Sequence, residues 1–251
     1  MALLAVPLGA SDPEPPANSP PSPSEHYARC AALVQSEPKE ALAQANNWLA
    51  AGGGAAALHC AALALVGLRL YDQAARKLDE AAAGEKSAGP ELRAQLLDQA
   101  GNAWLLAHRP GEAVDSFSAA LTLVPGDEDM LADRARARGA MHDWAGAVVD
   151  LTEVLARDPD RADSYVLRAS AQHALGKKAE ARADLVHALN VVPDYPEALL
   201  ERGTIKFEDG DLEGARADWR QVVKEAPGSQ AGDDARKRLS ALSAAARPAK
   251  R

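Results

Sequence analysis

Four alanines, Ala113, Ala147, Ala181 and Ala215, recur at an interval of 34 residues, and four prolines, Pro125, Pro159, Pro193 and Pro227, recur at the same interval. A third register, Gly101, Ala135, Ala169 and Gly203, holds only small residues, each twelve positions before one of those alanines. Three tracks in phase mean that one supersecondary unit is repeated, and such a unit buries its apolar face by stacking on its neighbours. Small residues at fixed places are what two closely crossing helices require.

Composition points the same way. Apolar residues make up 47% of the 251, much of that is alanine, and there are only two Phe. Thin side chains fill a core only where backbones approach closely, which suits helix on helix and argues against a β-sandwich. An all-α protein is expected, its length counting stacked units instead of domains.

The regular units start at Ala94, Glu128, Ala162 and Pro196. Each reads as a first helix of about fourteen residues, a tight turn and a second helix of similar length. The turns are His108-Arg109-Pro110-Gly111, His142-Asp143-Trp144, Gly176-Lys177-Lys178 and Gly210-Asp211-Leu212. Gly supplies a left-handed stop there, and Pro or Asp favours a new helical start. Each second helix ends before a proline, which cannot continue it.

An earlier unit runs from Ala55, with Leu58, Ala62, Leu65, Tyr71, Ala74 and Leu78 in phase, but its end, Gly84 to Pro90, carries about five extra residues where the array has room to bend. Before it, Ser22 to Gly54 keeps Ala28, Ala41 and Trp48 in phase and replaces the terminal proline with Gly52-Gly53-Gly54. After Pro227, Ala231, Ala235, Leu239 and Leu242 continue the helical period with a charged remaining face, as a helix covering the end of a stack requires. The expected organisation is an apolar N-terminus and Pro-rich linker over 1–21, two divergent helical repeats over 22–93, four regular repeats over 94–229, and a capping helix with a basic tail over 230–251.

This pattern resembles the tetratricopeptide repeat, whose signature runs W-x2-L-G-x2-Y, then A-x3-F, then P. In the unit from Ala94 the family positions are held by Leu97, Ala100, Gly101, Trp104, Ala113, Phe117, Ala120 and Pro125. In later units Leu131, Tyr165 and Leu199 replace the opening Trp, and Leu151, Leu185 and Trp219 stand for Phe. The resemblance covers residues 22 to 246 and implies a right-handed α-solenoid of stacked helix-turn-helix repeats with a C-terminal capping helix.

The resemblance also implies a non-catalytic scaffold or adaptor for protein–protein interaction, with the first helices lining a concave groove for a peptide or partner helix. Carrying that phase over gives Gln95, Asp98, Asn102 and Leu105; then Asp129, Ala132 and Arg136; then Asp163, Val166, Ser170 and His173; and then Glu197, Leu200, Thr204 and Phe207. In the best-known form of this groove, Lys, Asn and Arg grip the C-terminal carboxylate of heat-shock chaperones. Here Asn102 alone matches, and Asp98, Asp133 and Asp163 stand where cations would be needed. An acidic C-terminus should be repelled, and a basic or mixed-charge partner with apolar anchors near Leu105, Val166, Leu200 and Phe207 is expected instead. The alternative is a structural or assembly role, possible in a cell envelope, acting through self-association or the convex face.

Arg134, Arg168 and Arg202 recur with Asp150, Asp184 and Asp218, always sixteen residues apart. They predict a ladder of ion pairs, closed either within a unit or between neighbours. Trp48, Trp104, Trp144 and Trp219 fall at positions expected to pack as core or turn anchors. No site for catalysis, a cofactor or a metal is expected: the six histidines form no H-E-x-x-H, no Lys-Ser/Thr follows the Gly52 run, and no G-x-S-x-G occurs. A net charge of -8 and the lack of a long basic stripe disfavour nucleic acid, and no apolar run reaches the roughly 20 residues of a membrane span.

Cys30 and Cys60 sit on the first helices of adjacent units. Buried free thiols are the favoured reading, although a bridge is conceivable. Ala2 to Ala10, ALLAVPLGA, resembles the apolar core of a secretory signal, yet no Lys or Arg precedes it and Leu8 suits its place poorly. Exported and cytoplasmic locations both remain open, as do the partner's identity and the oligomeric state.

Overall fold

A computed structural model describes residues 22–84 and 89–245; the apolar start and linker over 1–21 and the tail beyond 245 lie outside the described residues. Among the described residues there are thirteen α-helices and no strand. Twelve of them pair as α1 (Pro23–Leu33) with α2 (Pro38–Ala50), α3 (Gly54–Gly67) with α4 (Tyr71–Gly84), α5 (Pro90–Leu106) with α6 (Pro110–Leu123), α7 (Glu128–Ala140) with α8 (Trp144–Arg157), α9 (Ala162–Ala174) with α10 (Lys178–Val191), and α11 (Pro196–Glu208) with α12 (Leu212–Glu225). The last, α13 (Gln230–Ala245), stands alone.

Local chemistry sets these bounds. Proline opens α1, α2, α5, α6 and α11, where its missing N–H is not needed. Asp127, Asp143 and Asp211 cap α7, α8 and α12 by accepting from backbone N–H groups of the first turn. Second helices α6, α8, α10 and α12 each stop two residues before a repeated proline. The turn within each regular pair holds one left-handed residue in a single register: His108 (φ 57°), His142 (φ 61°), Gly176 (φ 75°) and Gly210 (φ 86°). Histidine is among the residues that tolerate this region, so two units do without glycine there. Arg69 (φ 59°) takes the same role between α3 and α4, and it lies 39 residues before His108, five more than the period.

Side-chain size is matched at each crossing. Gly101 and Gly203 face Phe117 and Trp219, and a Cβ built on either glycine would meet the ring at 2.6 Å. Ala135 and Ala169 instead share their clusters with the smaller Leu151 and Leu185. Ala113, Ala147, Ala181 and Ala215 are all buried. Trp48, Trp104 and Trp219 are buried and Trp144 half-buried, which agrees with their reading as anchors. At the C-terminal end α13 lays Ala231, Ala235, Leu239 and Leu242 on Leu199, Ala215, Trp219 and Val222.

Three expectations need correction. α5 begins at Pro90 and is 17 residues long, one turn longer than the unit from Ala94 implied, because Pro90 starts the helix itself. In α1, Cys30 turns inward while Ala28 is exposed. Cys30 and Cys60 are not free thiols: α1 lies along α3, the two Cα atoms are 6.3 Å apart, and the sulfurs are bonded.

The first helices α5, α7, α9 and α11 pack successively on one another. Among the described residues the second helices α4, α6, α8, α10 and α12 make no comparable contact with each other. Elements that touch across repeats occupy the short side of a curved stack, so the first helices line the inner face.

Candidate functional site

The ladder closes within each unit. Arg134 donates from Nε and Nη2 to both oxygens of Asp150 at 3.0 and 2.8 Å; Arg168 does the same to Asp184 at 2.8 and 2.7 Å, and Arg202 to Asp218 at 2.9 and 2.8 Å. A third bond runs to the preceding unit, from Arg134 to Ser118 and from Arg168 to Thr152, both at 3.3 Å. All three aspartates are buried. The guanidinium groups are therefore spent on internal carboxylates and are not free to grip an acidic ligand. The unit from Ala94 has Ala100 and Ser116 in the ladder registers, and there Asp79 accepts from Trp104 Nε1 at 2.9 Å and from Ser116 at 3.0 Å.

The inner-face residues separate into three kinds. Val166 is buried, and Leu105 and Leu200 pack against core clusters, so of the four apolar anchors expected from phase only Phe207, 44% exposed, is open to a partner. Leu105 and Val166 share their clusters with residues of the next first helix, and Leu200 with residues of α12 and α13. A second kind is neutralised internally: Arg161 pairs with both Asp129 (2.8 Å) and Asp163 (3.3 Å), and Arg136 pairs with Asp133. Asn102 donates to Asp133 at 3.0 Å, and Thr204 accepts from Arg238 of α13 at 2.7 Å. Ser170 is half-buried and Glu197 exposed.

Asp98 is the third kind. Its Oδ1 is buried and has no hydrogen-bond partner. Burial, and after it the charges of Asp133, Asp127 and Asp129, pushes its carboxyl up to about 6. Of the acidic residues carried over from phase, Asp98 between α5 and α7 and the exposed Glu197 of α11 have no internal cation among the described residues. What phase did not reveal is a cluster at the other edge of α5, where Tyr27, His59 and Gln99 meet. The extra residues before Pro90 were its one sequence signal.

His173 lies between Glu201 (2.7 Å from Nδ1) and Glu208 (2.9 Å from Nε2). Burial of the ring works against its charge, but the hydrogen bonds to Glu208 and Glu201 outweigh it, and the pKa is raised above 6.5. A raised folded-state pKa contributes stability that is fully present below the unfolded value of about 6.5 and is lost as pH rises through the folded value. The melting-temperature gap between wild type and His173→Gln should therefore be widest at mildly acidic pH and close on the alkaline side. A gap that did not change with pH would show that the charge contributes nothing.

Among the described residues no three His, Cys, Asp or Glu side chains converge as a metal ion would need, and no helix is long and apolar enough to cross a membrane.

The family model described as tetratricopeptide repeat matches residues 197–229, which span α11, its turn and α12. No curated protein matches the chain in sequence. Among solved structures, pilF of Pseudomonas aeruginosa is 15% identical with a TM-score of 0.62, covering 86% of this chain and 97% of its own. A double mutant of MamA RS-1 is 18% identical with a TM-score of 0.60, covering 70% and 97%. YrrB, a TPR protein with an unusual peptide-binding site, is 16% identical with a TM-score of 0.56, covering 84% and 97%. At these identities the likeness is one of fold: together with the period, the left-handed turn register and the paired helices, it shows an all-α solenoid of stacked helical hairpins, in which α11 and α12 match the tetratricopeptide-repeat model itself.

Proposed function

We propose that the chain is a non-catalytic adaptor that holds a basic or mixed-charge peptide on its inner face, with the negative centre at Asp98. The observation that carries this reading is the buried, unpartnered Asp98 oxygen among Asp133, Asp127 and Asp129. Folded proteins rarely bury a polar atom without a partner, and because Asp98 as a whole is only half-buried, a Lys or Arg from a bound peptide would offset the charge of its carboxylate from the accessible side. Asp129, Asp133 and Asp163 already have internal cations, which leaves Asp98 and the exposed Glu197 as the acidic groups of the face that a basic peptide would meet.

Fluorescence anisotropy with the purified chain and matched Lys/Arg-rich and Asp/Glu-rich peptides tests it. Basic peptides should bind, more weakly at high salt. Asp98→Asn should cost roughly ten- to a hundredfold, the worth of a charged hydrogen bond. The sign with pH follows from the raised pKa: the carboxylate a cation needs is present above about 6 and disappears below it, so affinity should fall as pH drops through about 6. Asp98→Asn should flatten that profile. Preference for acidic peptides, or an Asn variant of undiminished affinity, would retire the reading.

The assembly alternative draws on Val149 and Val186, exposed on second helices α8 and α10. Concentration-dependent mass in light scattering would favour it.

A further inference from the structure

Among the described residues the stack of first helices is interrupted between α3 and α5, and a cavity of about 320 Å³ opens there. Elsewhere along the regular units neighbouring first helices pack directly, whereas among the described residues α3 and α5 make no comparable contact. At this place the sequence carries about five residues more than the period, and α5 starts one turn early. That turn brings Leu92, 50% exposed, to the cavity, with Ala55, Ala56 and Leu96 as further apolar lining.

The wall is held rigidly. His59 shares hydrogen bonds with Gln99 across the gap and with Tyr27 of α1, both at 2.8 Å, and the Tyr27 and His59 rings stack at 5.8 Å. One residue beyond His59, and one turn beyond Tyr27, the Cys60–Cys30 disulfide ties α3 to α1. A pre-formed, mostly apolar cavity with a few fixed polar groups is the usual form of a recognition pocket.

We propose that this cavity seats an apolar side chain of an extended peptide whose Lys or Arg, about three residues away, reaches Asp98. The proposal rests on the adaptor reading above and names the second determinant of its ligand. The spacing follows from geometry: the cavity and Asp98 flank α5 on opposite sides, one interhelical step of about 8–10 Å apart, and an extended chain advances about 3.3 Å per residue. Charge complementarity selects the occupant, because an apolar segment without a cation would leave the carboxylates of Asp98, Asp127, Asp129 and Asp133 without an added counter-charge.

The test is selection of peptides from a random phage-displayed library on the purified full chain, followed by anisotropy on synthetic peptides from the enriched set. Enriched peptides should carry an apolar and a basic residue about three positions apart. Replacing the apolar residue by alanine should weaken binding about tenfold or more. Ala56→Trp, at an exposed position on the cavity mouth, should abolish that difference while leaving the salt- and pH-dependent basic contribution intact, and Gln95→Trp provides an independent block should the first variant fail to fold. In the wild-type protein, peptide addition should shift the His59 ring resonances. Basic peptides that bind equally well without the apolar residue, and equally to both Trp variants, would overturn the pocket and leave the adaptor reading standing. Failure of every basic peptide, or indifference to Asp98→Asn, would overturn both. A wild-type dimer in light scattering that Ala56→Trp dissociates would assign the cavity to a second copy of the chain and overturn the peptide proposal.

Discussion

Arg168→Ala is expected to destabilise the protein by about 3–5 kcal/mol, clearly more than Arg134→Ala or Arg202→Ala. The three ladder pairs look equivalent in sequence, but their aspartates differ in how many cations they meet. Asp150 also pairs with Arg138 at 2.9 Å, and Asp218 with Lys206 at 2.8 Å. The same register in the third regular unit holds Gln172, so Asp184 has Arg168 alone. Its side chain is 6% exposed, and removal of the guanidinium leaves a carboxylate with neither water nor cation. The bond to Thr152 and the stacking of Arg168 over Tyr165, 5.7 Å from the ring centre, are lost as well. Urea denaturation of the three variants measures the difference, and Arg168→Ala with Asp184→Ala should recover part of the loss, because no buried charge is then stranded. Equal losses at all three sites would show that a second cation does not compensate. Unchanged stability together with lost peptide binding would make the ladder a ligand-gripping device after all.

Gly203→Ala should cost about 1–3 kcal/mol, even though alanine is the better helix former by up to about 1 kcal/mol. The added methyl would lie 2.6 Å from Trp219 Nε1 and 2.8 Å from Cδ1. Trp219 is 2% exposed and its indole N–H donates to Leu200 O at 3.3 Å, so the ring cannot retreat without losing packing and that bond. The chain already contains the compensated alternative, Ala169 with Leu185. Trp219→Leu introduced with Gly203→Ala should therefore cost less than the sum of the two single changes, and the same holds for Gly101→Ala with Phe117→Leu. Strict additivity in a double-mutant cycle would mean that the two positions do not sense each other.

Much of this could be read in advance because each repeated position meets the same neighbour in every unit. Ala113 and its three counterparts were recognisable as crossing residues, and the sixteen-residue offset of Arg and Asp announced the ladder, although not that it closes inside each unit. The groove residues were less legible. Val166 and Asp98 share the same expected phase, yet one is buried by the neighbouring first helix and the other is left without a partner. Periodicity sorts residues by face, and it cannot count the charges that arrive from other elements, such as Arg161 on Asp129 and Asp163, or Arg238 on Thr204.

The sequence by itself determined the repeat unit, the helix-turn-helix bounds and the small-residue crossings, since all three depend on contacts at short or constant separation along the chain. Tertiary structure alone decided that Cys30 and Cys60 join, that one oxygen of Asp98 is buried without a partner, and that a cavity opens beside His59. Those outcomes depend on distances between side chains of different helices, and no period records that α3 and α5 lack the contact the later first helices make with one another.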